Sequence, residues 1–93
     1  MLEIIQTSKF KKDYACLKKQ GADLNLLKLV VKMLQTQKPL DPKYKDHPLK
    51  GNFAGFRECH IKGDWVLVYR TNDQQLTLTL TRTGTHRDTL GIE

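Results

Sequence analysis

The chain is poor in cysteine, in long apolar runs and in acidic residues, and its prolines are confined to one segment. Its two cysteines, Cys16 and Cys59, are too few for the dense disulfide framework of a small secreted domain. They lie in stretches that read as a helix and a strand, so both are expected to be reduced, small core residues. Glu3 interrupts the N-terminal apolar run, and no other run approaches the roughly 20 residues needed to cross a bilayer. Neither a secretory leader nor a membrane anchor is expected, and the cytoplasm is the expected compartment. Ten Asp and Glu stand against sixteen Lys and Arg, a formal charge of +6. That excess favours a polyanionic partner, nucleic acid or an acidic protein.

What remains is an ordinary globular composition: 39% hydrophobic and 28% charged over 93 residues. This argues for one folded domain spanning residues 1–93, with room for a single core. Leu2 to Thr7 reads as a strand, with Ser8 as the N-cap of a helix carrying Phe10, Tyr14 and Leu17 on one side. Lys9, Lys11, Lys12, Lys18 and Lys19 give that helix a basic outer side, and Gly21 supplies its stop. Asp23 can cap a second helix through about Gln37, with Leu24, Leu27, Val30, Val31 and Leu34 at helical spacing and Pro39 ending it. The short link predicts an antiparallel helix pair.

Lys38 to Gly55 holds all three prolines and reads as a long loop. Three strand-like runs follow: Phe56 to Ile61, Trp65 to Arg70 and Gln75 to Thr81. Leu76, Leu78 and Leu80 alternate with threonines, so one face is expected to be buried against the helices. The same parity puts Cys59 and Ile61 on the core face, and Glu58 and His60 on the open one. The expected fold is α+β: an N-terminal strand and a two-helix hairpin packed on one face of an antiparallel sheet with a three-stranded C-terminal meander.

All three histidines, His47, His60 and His86, fall in the second half of the chain, with Asp64 at a turn and Arg57 and Arg82 flanking them. Histidine exchanges protons near neutrality. Two histidines, a carboxylate and an arginine supply the parts for RNA cleavage without a metal: a base for the ribose 2′-hydroxyl, an acid for the leaving 5′-oxygen, and a cation for the phosphate. Trp65 or Tyr69 could stack an unpaired base. Bland readings stand beside this one. Asp64 next to Gly63 suits a turn on its own account, Trp65 suits a core, and a Lys-rich helix face is commonly just solvated. Two or three His with Asp would also suit a metal, but no close ligand spacing supports that.

The run YKDHPLKGNFAGFRECHIKGDWVLVYR, followed by LTRTGTHRDTL, resembles the YafQ branch of the RelE/ParE superfamily of toxin–antitoxin endoribonucleases. The likeness extends more loosely over the N-terminal helices. It implies a RelE-like fold and a ribosome-dependent mRNA interferase that cuts messenger RNA in the ribosomal A site without a cofactor or metal. A DinJ-like cognate antitoxin would silence it, operator DNA would be met only through the antitoxin complex, and no membrane is involved. Carried over by motif, the resemblance implies His47, His60, Asp64 and His86 as the catalytic set, with His86 the leading general acid and Asp64 or a neighbouring histidine the base. Arg82, Trp65, Lys50 and Arg57 would hold substrate, and Lys9, Lys11, Lys12, Lys18 and Lys19 would grip ribosomal RNA. Leu90 stands where relatives often carry phenylalanine. Strict alternation places Arg82 with Leu76, Leu78 and Leu80, so it reaches the open face only if the strand ends or bulges first. The alternative function is a non-catalytic basic module of the same fold, binding RNA or an antitoxin in transcriptional autoregulation.

Overall fold

The computed structural model describes residues 1–85 and 89. The order is β1 (Glu3–Gln6), α1 (Ser8–Lys19), α2 (Leu24–Gln35), β2 (His47–Pro48), β3 (Arg57–Lys62), β4 (Trp65–Asn72) and β5 (Thr77–Thr85). The strands form one sheet in the order β1-β5-β4-β3-β2. The expected antiparallel sheet is a mixed one, because β1 pairs parallel to β5, with Ile4 opposite Leu78 and Gln6 opposite Leu80. The helix pair supplies the crossover that a parallel connection requires.

Helix α1 starts one residue earlier in its capping than Ser8 suggested. Thr7 is the N-cap, and its hydroxyl accepts from the Phe10 N–H at 3.0 Å. Asp23 caps α2 as expected, accepting from the Asn25 N–H at 3.1 Å. That helix ends at Gln35, and Gln37 turns to a φ of 61° before Pro39. Phe10, Leu27, Val30 and Leu34 meet Cys59, Ile61, Leu67, Tyr69, Leu78 and Leu80 in one core. Cys16 does not join it and is exposed. It lies roughly 240° around the helix from Phe10, on the solvent side.

The long loop is more structured than its composition implies. It holds two 3-10 turns, at Pro42–Tyr44 and Gly51–Phe53, and the edge strand β2 between them. Leu76, expected on the buried face of the last strand, sits in the β4–β5 turn with a φ of 54° and its side chain exposed. Asn72 organises that turn by accepting from the N–H groups of Gln74 and Gln75.

The central strand decides how the sheet is used. Val66, Leu67, Val68 and Tyr69 of β4 are all buried, so the sheet is covered on both faces along its middle. Leu67 and Tyr69 face the helices. Val66 and Val68 therefore face the other way.

Candidate active site

The outer face is built row by row from the strand register. His47 on β2 pairs with Glu58 on β3, Glu58 with Val68 on β4, and Val68 with Arg82 on β5. The next row holds His60, Val66 and Gly84. With strands about 4.8 Å apart, the first row spans roughly 14 Å from His47 to Arg82.

Arg82 reaches this row through a bulge. Val68 pairs with Arg82 but Tyr69 pairs with Leu80, leaving Thr81 as the extra residue. Beyond it the alternation reverses: Thr83 takes the buried position on the helix side and Arg82 turns outward. This is the condition that strict alternation set for Arg82.

Glu58 is the residue that sequence reasoning passed over. It was placed on the open face with His60, yet it is fully buried. His47 Nε2 lies 3.6 Å from its Oε1 and His60 Nε2 lies 3.5 Å from the same oxygen. The two imidazole rings are 6.4 Å apart, centroid to centroid. The apolar run Val66-Leu67-Val68-Tyr69 was the available signal, since a strand apolar at every position must be covered on both sides and so buries its neighbours.

His47 is not a loop residue but part of β2, and it is locally fixed. Its Nδ1–H donates to the Lys45 carbonyl at 2.7 Å, with Lys45 itself in the left-handed region at φ 49°. Neutral His47 therefore presents its Nε2 lone pair toward Glu58. The preceding residue is anchored harder. Asp46 accepts from Arg57 Nε and a terminal Arg57 nitrogen, both at 3.3 Å, and from the Tyr69 hydroxyl at 2.5 Å.

That anchoring fixes where Arg57 lies. Its parity with Cys59 puts it on the helix side, and its guanidinium is spent on Asp46, away from the histidines. Burial opposes the Arg57 charge, but the bonds to Asp46 and Tyr69 outweigh it and raise its pKa. Burial, then Asp46, pushes the Tyr69 hydroxyl well above the ordinary tyrosine range. Burial, then the negative charges of Asp46 and Glu58, pushes the Cys59 thiol up to about 12, so it is an inert core residue.

Trp65 packs against the core, and its indole N–H donates to Thr83 Oγ1 at 2.9 Å. Asp64 is exposed in the Gly63-Asp64 turn at the end of the β3–β4 hairpin rather than in the histidine cluster. Lys50 is exposed in the loop, and Lys9, Lys11, Lys12, Lys18 and Lys19 are exposed on α1. His86 and Leu90 lie outside the described residues. Thr89 is buried, and a side chain built at Gly84 would come within 3.7 Å of its methyl group, so Thr89 stands over the His60 row at β5.

Helices on one side of a mixed sheet, and a His–Glu–His cluster with an outward arginine on the other, define the class as a small RelE-like toxin domain. The comparisons agree. The mRNA interferase toxin YafQ of Escherichia coli K12 is 37% identical over 90 residues, 96% of each chain. The crystal structure of a metal-bound toxin from Helicobacter pylori superimposes with a TM-score of 0.89 at 53% identity, covering 95% of this chain and 98% of that one. The toxin in the E. coli DinJ–YafQ complex superimposes with a TM-score of 0.85 at 36% identity, covering 95% and 97%. Residues 2–91 match the family described as the bacterial toxin of type II toxin–antitoxin systems, YafQ. The chain belongs to the YafQ family of type II toxins.

Among the described residues, no group of three or more His, Cys, Asp and Glu side chains is arranged to hold a metal ion. No helix among them is long and apolar enough to cross a membrane.

Proposed function

We propose that this toxin is an endoribonuclease that cuts messenger RNA in the ribosomal A site by acid–base catalysis and is silenced by a cognate, DinJ-like antitoxin. The observation that carries the chemistry is the convergence of His47 and His60 on buried Glu58, on the sheet face that Arg82 also occupies. The relative's name, mRNA interferase toxin, supports the substrate, and the DinJ–YafQ complex supports the kind of partner.

In this reading an imidazole of the pair takes the proton of a ribose 2′-hydroxyl. The freed oxygen attacks the adjacent phosphorus, and the bond to the 5′-oxygen breaks as an acid supplies a proton to it. Arg82 faces the charge that builds on the phosphoryl oxygens. Glu58 stabilises the imidazolium formed by the first transfer, a carboxylate role set by position rather than by proton exchange. His86 of the RTGTH motif is the leading general acid. Asp64, at the exposed turn, is less well placed to be the base than a histidine of the cluster. The exposed lysines of α1, with Lys43, Lys45 and Lys50 in the loop, are suited to ribosomal RNA.

Mapping cleavage on programmed ribosomes with the parent chain and with single variants at His47, Glu58, His60, Asp64 and His86 tests this. Loss of cutting in the histidine and Glu58 variants, with antitoxin binding kept, is expected. Full cutting by the double variant His47→Ala/His60→Ala would overturn the assignment of the site.

A further inference from the structure

The bulge that turns Arg82 outward lies just where β5 loses β1 as a neighbour on one edge, while β4 stays paired on the other. β1 ends at Gln6, opposite Leu80, so the backbone groups of Thr81 to Thr83 on that edge need partners from elsewhere. Helix α1 supplies them. The Thr7 hydroxyl donates to the Thr81 carbonyl at 2.7 Å, and the Asp13 carboxylate accepts from the Thr83 N–H at 3.2 Å. The same carboxylate grips Arg82 side-on: Nε to Oδ2 at 2.7 Å and a terminal nitrogen to Oδ1 at 3.2 Å. One carboxylate thus holds both the backbone just past the bulge and the guanidinium beside it. Asp13 is mostly buried, with 17% side-chain exposure, and it belongs to neither the core nor the histidine cluster.

We infer that Asp13 is a positioning residue for the nuclease reaction: it fixes the Arg82 guanidinium in the orientation in which it meets the scissile phosphate. A long arginine side chain is costly to order, and a bidentate fork to a partly buried carboxylate orders it before substrate arrives. The phosphate then meets a fixed cation instead of selecting one rotamer among several. The same bonds attach the basic helix α1 to the outer face, so the surface suited to ribosomal RNA and the proposed phosphate-binding group move as one body. The inference rests on Arg82 acting on the phosphate, as proposed above.

The test is a double-mutant cycle in single-turnover cleavage of mRNA on programmed ribosomes, with Asp13→Ala, Asp13→Asn, Arg82→Ala and the combination Asp13→Ala/Arg82→Ala. Asp13→Ala is expected to slow the chemical step roughly tenfold, the scale of one disordered long side chain, while the toxin concentration giving half-maximal rate stays within twofold. Arg82→Ala is expected to lose more, and adding Asp13→Ala to it is expected to cost nothing further. Asp13→Asn keeps an acceptor for the Thr83 N–H, so it holds the fold if Asp13→Ala does not, and it is expected to show the same rate loss. If the Asp13 effect multiplies with that of Arg82→Ala, or if both Asp13 variants cut at the parent rate while Arg82→Ala is impaired, the inference fails and the site reading stands. If Arg82→Ala itself cuts normally, the proposed role of Arg82 fails, and the inference with it.

Discussion

Replacing Glu58 by glutamine removes one charge and almost no volume, which makes it the sharpest perturbation of the site. The carboxylate oxygen lies 3.5 Å from His60 Nε2 and 3.6 Å from His47 Nε2. At that distance and an effective dielectric near 20, a carboxylate and an imidazolium attract by on the order of 4–5 kcal/mol. The histidine side chains keep 27% and 45% exposure, so solvent screening reduces this to about 2–3 kcal/mol. If that attraction is gained only when a histidine holds the 2′-hydroxyl proton, Glu58→Gln slows the chemical step roughly 30- to 150-fold. Single-turnover cleavage on programmed ribosomes reads it, with antitoxin binding and thermal unfolding showing that the fold persists. A Glu58→Gln toxin that cuts within twofold of the parent refutes the electrostatic role.

Two further predictions concern the frame of the site. Gly84→Ala forces a side chain onto a φ of 144°, while the space itself is adequate at 3.7 Å from Thr89. The strain should cost about 1–3 kcal/mol, seen as a Tm drop of about 4–8 °C per kcal/mol; an unchanged Tm would show that the backbone relaxes there. Tyr69→Phe removes a hydrogen bond to the Asp46 carboxylate and should cost about 1.5–3 kcal/mol at neutral pH in urea unfolding. It should also alter the alkaline limb. Tyr69 and Cys59 both have pKa values raised by folding above their ordinary 10.0 and 9.0. Their stabilisation is complete below those ordinary values and is lost as pH rises above them, by about 1.4 kcal/mol per pH unit for each group. In Tyr69→Phe only the Cys59 part remains, so the decline between pH 10 and 11 should be about half as steep. Equal slopes would count against Tyr69 as a linked group.

The helices and the meander were legible because their apolar residues repeat at 3.6 and 2 and their ends carry recognisable caps and turns. The parts that escaped are those where pairing, not period, decides. Nothing local to His47-Pro48 marks it as a strand, since among the described residues its strand partner is Glu58-Arg57, across the second 3-10 turn. Parallel pairing of β1 with β5 likewise depends on a contact some 74 residues distant. The bulge at Thr81 lies inside an unbroken Leu-Thr alternation, so only the fate of Arg82 hinted at it. For the site, parity placed His60 and Glu58 together correctly but read a glutamate as solvated. Trp65 and Arg57 share the site's motifs, and their odd-numbered positions put them on the helix side.

The burial of Glu58 makes a second claim about Glu58→Gln, opposite in sign to its effect on rate. An ionised carboxylate with no exposure pays a desolvation cost of several kcal/mol. The two histidines offset part of it across distances of 3.5 and 3.6 Å, longer than good charge-assisted hydrogen bonds. Removing one member of a buried pair is usually harmful because the other charge is stranded. Here the two histidines keep 45% and 27% side-chain exposure, and glutamine retains an acceptor and nearly the same volume at the site. Glu58→Gln should therefore unfold at the parent Tm or up to about 4 °C above it, while Arg82→Ala, which strips a partly buried Asp13 of its partner, should unfold lower. A residue that lowers stability and raises rate is retained for its chemistry, whereas one that raises both is also part of the frame. A Glu58→Gln chain that melts well below the parent would place Glu58 in the second group, as part of the frame as well as of the chemistry.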